Sequence, residues 1–139
     1  DEFEPWLDTL ADGFANPDTQ GVVPHEEFPR EVIATAMRDL ISAAGVIRYA
    51  ARCDGQLAGA ASMRLAGGIA QLTGAATVPA LRRRGVQSAL LSARLVEAAA
   101  HGCEVAVITT APGSKSQQNA QRRGFDLLYT RAILVKQPL

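Results

Sequence analysis

Residues 79–91 read Pro-Ala-Leu-Arg-Arg-Arg-Gly-Val-Gln-Ser-Ala-Leu-Leu. Arg82, Arg83 and Arg84 stand directly before Gly85, and a long helical pattern follows. A helix N-terminus exposes unpaired backbone N–H groups and the positive end of the helix dipole. Gly85 lets a ligand come close to that backbone. The run therefore suits an anion, and a pyrophosphate is the anion expected there. Backbone N–H groups of Arg83, Arg84, Gly85, Val86, Gln87 and Ser88 can ring it. The arginine side chains can pair with phosphate oxygens, and Ser88 can add a hydroxyl. The competing reading is a basic helix start with a solvated face.

The elements around this run decide how it is presented. A strand-like stretch, Ile69–Val78, leads into it. Before that, Val46–Cys53 and Gln56–Leu65 read as strands joined at Asp54-Gly55, a tight hairpin signal. Phe3, Trp6, Leu7, Leu10 and Phe14 make one helical stripe. Residues 15–27 read as a loop, and Pro29–Ala44 as a second amphipathic helix ended by Gly45. The third helix is predicted from about Arg83 to His101. A strand apolar on both faces follows over 104–110, as expected of a central strand. A fourth helix fits Lys115–Arg123, and Phe125–Lys136 a last strand. This order predicts an α/β (α+β) fold: a mixed, mostly antiparallel sheet with helices on both faces.

Composition bounds the rest. The 139 residues suit one domain, and 47% are apolar, enough for a core. Fourteen basic and fourteen acidic residues cancel, so nothing global points to nucleic acid or to a membrane surface. Cys53 and Cys103 lie in apolar runs and read as reduced core residues, which implies a cytoplasmic protein. His25 and His101 are far apart, and no Cys/His cluster has zinc spacing, so no metal is expected.

The strand, the basic turn and the helix, followed by Val105–Thr109 and Ser114–Phe125, resemble the acetyl-CoA-dependent N-acetyltransferases of the GNAT superfamily. The signature Arg/Gln-x-x-Gly-x-Gly/Ala is matched by Arg82-Arg-Arg-Gly85-Val-Gln87, and Asn119 with Gly124-Phe125 extends it. The resemblance covers roughly residues 45–135. Gln87 departs from the pattern, which has Gly or Ala there. The resemblance implies a GNAT-like fold with acetyl-CoA as cofactor. Its pantetheine arm would pair with Ala76, Thr77 and Val78 where parallel strands splay, and Asn119 would reach it. A complete domain of the family begins with a strand before its first helix. This chain starts on that helix, so residues 1–139 are expected to be one acetyltransferase-like domain lacking its first strand, with or without a lost upstream domain.

Acetyl transfer from a thioester needs the cofactor held, the carbonyl polarised and a neutral amine delivered. The resemblance places a tyrosine acid in many family members at the position held here by Ala120. Tyr129 is the substitute candidate, ahead of Tyr49, and Ser116 is a second one through water or, alternatively, a cap of the fourth helix. No carboxylate or histidine on Ile69–Val78 offers a base, and His25, Glu26 and Glu27 read more simply as solvated loop residues. The expected activity is direct acetyl transfer to a primary amine, of a small molecule or of a protein. The alternative is a non-catalytic acyl-CoA-binding or sensing domain, favoured by Ala120. A homodimer is left open. A different nucleotide-binding fold is disfavoured, since neither a Walker sequence nor Gly-x-Gly-x-x-Gly is present.

Overall fold

A computed structural model describes residues 2–22, 27–134, 136 and 138 of the chain. Helix α1 spans Phe3–Ala15 and α2 Arg30–Ile41, and strands β1 (Val46–Cys53), β2 (Gln56–Ala66) and β3 (Ile69–Thr77) follow. A short 3-10 turn at Pro79–Leu81 leads to α3 (Val86–Ala100), β4 (Val105–Ile108) and α4 (Lys115–Arg122).

The four strands form one sheet in the order β1-β2-β3-β4. The first two pairings are antiparallel and the third is parallel. The β1–β2 turn forms as expected: Asp54 and Gly55 both have positive φ, the requirement of a two-residue hairpin with a type I′ turn. The parallel β3–β4 pair needs a crossover, and α3 supplies it.

Side chains alternate across the sheet and divide the core in two. On one face Trp6, Leu7 and Leu10 of α1 pack with Ala60 and Ala76. On the other, Val86 and Leu90 of α3 pack with Ala61, and Leu91 and Ala98 with Met63 and Leu72. Helices therefore cover both faces, as predicted. Cys53 and Cys103 are free, half-buried and packed on different clusters. Helix α2 has no fully buried residue. It leans on α1 through half-buried Met37 and Ile41 and through ion pairs of Arg30 with Asp8 and Asp12 and of Arg38 with Glu4.

Three expectations are corrected. Helix α3 starts at Val86, not Arg83: Gly85 at φ +80° is its N-cap, and Arg83 at φ +62° lies outside helical space. The expected last strand is not formed in its described part, Phe125–Leu134, whose Leu127, Leu128, Ile133 and Leu134 are exposed. A strand needs a ladder partner as well as a pattern. The neighbouring β4 has only four residues, not the seven expected over 104–110. Among the described residues no helix is long and apolar enough to cross a membrane.

Candidate active site

The β2–β3 ladder runs from Gly59↔Thr77 to Ala61↔Ala75 and resumes at Met63↔Leu72. Two β3 residues, Thr73 and Gly74, thus stand opposite the single Ser62. This is a bulge, and a bulge bends the strand that carries it. On its other edge β3 pairs with β4 from Ile69↔Val105 to Leu72↔Ile108. Pairing stops where the bulge begins. Strand β4 ends at Ile108, so among the described residues the edge of β3 from Thr73 to Thr77 has no strand partner on that side.

That open edge leads to the basic turn. Ala76 and Thr77, both buried, end β3, and Val78 N–H donates to Ala58 O at 2.9 Å. The first-turn N–H groups of α3 receive no side-chain cap. A Cβ built at Gly85 would meet nothing within 4 Å. An uncapped helix start beside an open glycine leaves N–H groups that an anion could take up. The structure thus brings Ala76, Thr77, Val78, Arg83, Arg84, Gly85, Val86, Gln87 and Ser88 into one continuous path from strand end to helix start.

The three arginines point to three different elements. Arg82 donates to the carbonyls of Gly13 and Asn16 at the end of α1. Arg83 pairs with Asp18 at 3.0 Å, and Arg84 with Asp54 of the hairpin turn at 3.0 Å. A hydrogen bond from the Gln20 backbone N–H, helped by Arg83, Arg82 and Lys115, holds the Asp18 carboxyl below the usual aspartate range. Just beyond, Gly21 bridges to Ser114, and Val22 N–H donates to Gly113 O. Residues 16–22 therefore run from the end of α1, past the basic turn, to the start of α4. The composition of residues 15–27 predicts only a loop, and Asp18 and Gln20 among its turn residues are the one signal of these contacts.

Gln87, the departure from the signature, has a local explanation. Its side chain donates to Thr77 Oγ1 at 2.8 Å and so turns towards the strand. Its backbone N–H stays in the first turn of α3.

Helix α4 is capped by Ser114, not Ser116: the Ser114 hydroxyl accepts from Gln117 N–H, and the Gln117 side chain accepts from Gly113 N–H. Ser116 is exposed and Asn119 half-buried. Ala120 is buried, and its carbonyl accepts from Arg123 and Phe125. Tyr129 is 73% exposed and lies on no strand, so the alternation expected to aim it does not operate. Tyr49 donates to Glu97 at 2.8 Å; burial, then this bond, raises its hydroxyl well above the usual phenol range. It is thus a poor proton donor at neutral pH. Glu27 is exposed, whereas His25 and Glu26 lie outside the described residues. Among the described residues no group of three or more metal-ligating side chains occurs.

Sequence reading missed Arg94. It is 2% exposed and lies on the α3 stripe that also carries Leu90, Leu91 and Ala98. A charged residue three and four positions from two core leucines is the signal that could have found it.

The model of the acetyltransferase (GNAT) family matches residues 10–125. A comparison with curated proteins finds no match. Solved structures do match. The aminoglycoside N-acetyltransferase AAC(6')-Iy, in complex with a bisubstrate analogue of CoA and acetylneamine, superposes at TM-score 0.68 and 21% identity, covering 99% of this chain and 92% of that one. A Pyrococcus furiosus protein assigned as an acetyl transferase superposes at 0.72 with 18% identity, covering 100% and 95%. The 6'-N-acetyltransferase AAC(6')-IG from Acinetobacter haemolyticus gives 0.63 with 18% identity, covering 99% and 93%. These structural likenesses concern the fold.

Proposed function

The chain belongs to the acetyltransferase (GNAT) family, and on that premise we propose that it transfers an acetyl group directly to the primary amine of a small molecule. One observation carries the reading: the open β3 edge beyond Leu72 ends at the uncapped start of α3. An open edge offers backbone groups to an amide-bearing arm, and an uncapped helix start offers N–H groups to a pyrophosphate. Acetyl-CoA carries both, joined in one molecule, and supplies the activated acetyl group when bound.

In this proposal Ala76, Thr77 and Val78 hold the pantetheine arm. Arg83, Arg84 and the N–H groups from Gly85 to Ser88 hold the pyrophosphate, and Asn119 on α4 reaches the arm. Arg83 and Arg84 exchange Asp18 and Asp54 for phosphate oxygens on binding. For the acid, Tyr129 and Ser116 stay candidates, and both are open to water that can serve in their place. A small-molecule acceptor draws support from the acceptors in the names of structural neighbours. The sequence offers no Ser-His-Asp or Cys-His arrangement that suggests a covalent route, and direct transfer is therefore the route proposed.

The test has two parts. Calorimetry should show acetyl-CoA binding to the wild-type chain and little or none to a folded Gly85→Val variant, whose branched side chain enters the anion cradle. CoA release should then be followed over a panel of small amines and peptides. Unchanged affinity in Gly85→Val overturns the site. Binding without release on any amine selects the alternative, a non-catalytic acyl-CoA-binding domain, for which Ala120 is the supporting feature.

A further inference from the structure

Arg94 is the most deeply buried charge among the described residues. No carboxylate pairs with it there: the six ion pairs engage Arg30, Arg38, Arg52, Arg83 and Arg84. Its partners are three backbone carbonyls. Nε donates to Leu90 O at 3.1 Å, one turn back in α3. Nη1 donates to Ser62 O and to Thr73 O, each at 3.2 Å. Burying a guanidinium without an anion is unfavourable, so these carbonyls must meet its charge. Ser62 and Thr73 both fall in the irregular stretch of the β2–β3 ladder, between Ala61↔Ala75 and Met63↔Leu72.

Thr73 is also the first β3 residue beyond the last β3–β4 pair. One nitrogen of Arg94 therefore ties the bulge of β3 to β2 at the point where β3 leaves β4. Ser62 and Thr73 are joined a second time through their hydroxyls, at 2.6 Å. Burial pushes the Arg94 guanidinium down only to about 10, so it stays charged at neutral pH.

We propose that Arg94 is a positioning residue for acetyl-CoA: by gripping the Ser62 and Thr73 carbonyls it holds the β3 bulge, and so keeps the unpaired β3 edge beyond Leu72 in place for the pantetheine arm. The role rests on the acetyl-CoA reading given above. Arg94 is placed to act through the backbone of β3, on the arm's half of the site and not on the pyrophosphate's.

Two ligands separate these halves. Acetyl-CoA uses both, whereas adenosine 3′-phosphate 5′-diphosphate keeps the pyrophosphate and lacks the arm. Arg94→Met retains length and apolar packing but removes the donors. Calorimetry on the folded full chain should show acetyl-CoA weakened by about tenfold or more, the scale of a lost charged hydrogen bond, with the nucleotide within about twofold of wild type. Arg94→Lys keeps the charge without the fork and should show the same split with a smaller loss, which covers the case where Arg94→Met does not fold. Equal losses for both ligands would mean that Arg94 only supports the fold, and would overturn the proposal; unchanged acetyl-CoA affinity would do the same. A wild-type chain that binds neither ligand fails the acetyl-CoA reading itself, a result distinct from the others.

Discussion

Gln87 Nε2 donates to the Thr77 hydroxyl at 2.8 Å, joining the first turn of α3 to the last residue of β3. The two residues lie ten apart in the chain and frame the basic turn between them. The bond fixes the angle at which the strand end meets the helix start. A glycine or alanine at 87 could not make it.

Gln87→Ala should therefore loosen the junction without removing the anion site. A neutral hydrogen bond of this kind contributes about 0.5–1.5 kcal/mol. The melting temperature should fall by roughly 2–8 °C for a domain of this size. Acetyl-CoA affinity should change by less than about threefold, because the backbone N–H of residue 87 remains. A variant that melts with the wild type would show that the bond does not hold the junction.

Gly13 and Ala76 set the distance between α1 and β3. A Cβ at Gly13 would lie 2.4 Å from the Ala76 Cβ, closer than two carbons can approach. Gly13→Ala should cost about 1–3 kcal/mol of stability by overpacking. Adding Ala76→Gly should recover part of that loss, with a coupling of at least about 0.5 kcal/mol between the two sites. Denaturant unfolding of the four variants measures it. Simple additivity would mean that α1 shifts to make room.

Asp18 predicts a pH dependence. Its folded pKa is depressed, so the stability it adds is fully present above the ordinary aspartate value of 3.8. That contribution is lost as pH falls below 3.8 through the lower folded value. Asp18→Asn should thus be less stable than wild type at neutral pH and approach it in acid. A stability gap that stays constant down through the acid range would show that the carboxylate's charge is not what holds residues 16–22 to Arg83.

Tyr129→Phe tests the acid. With the side chain exposed and off any strand, turnover should fall by less than about threefold, as when water protonates the leaving thiolate. A fall on the order of 100-fold at unchanged cofactor affinity would instead make Tyr129 the general acid.

Local signals carried most of the fold. The stripe Phe3 to Phe14, the turn at Asp54-Gly55 and the Arg82–Gln87 run each specify their element from neighbours in sequence, and each element formed. The tail failed for a non-local reason. Phe125–Leu134 has strand-like residues, but a strand exists only against an edge, and sequence does not state which edge is free. The site divides in the same way. The residues of the basic turn were legible because they are contiguous. The bulge was not, since it arises from the relative register of β2 and β3, and Arg94 acquires its partners only through that register. The sequence shows that the arginine side chains can pair with phosphate oxygens, but not that tertiary contacts engage all three.

Helix α2 reaches the bulge of β3, where Met37 Sδ comes within 3.4 Å of the Cβ position at Gly74. It is tied to α1 by ion pairs of Arg30 and Arg38 with exposed carboxylates, beside the apolar contacts of half-buried Met37 and Ile41. Exposed pairs of this kind are screened when the Debye length shrinks, while burial is not. Salt therefore acts on one part of the α1–α2 contact and spares the other. Rising ionic strength should release the amide protons of α2 to exchange before those of α1 or α3, so the looseness of one helix becomes a property of the medium as well as of the sequence.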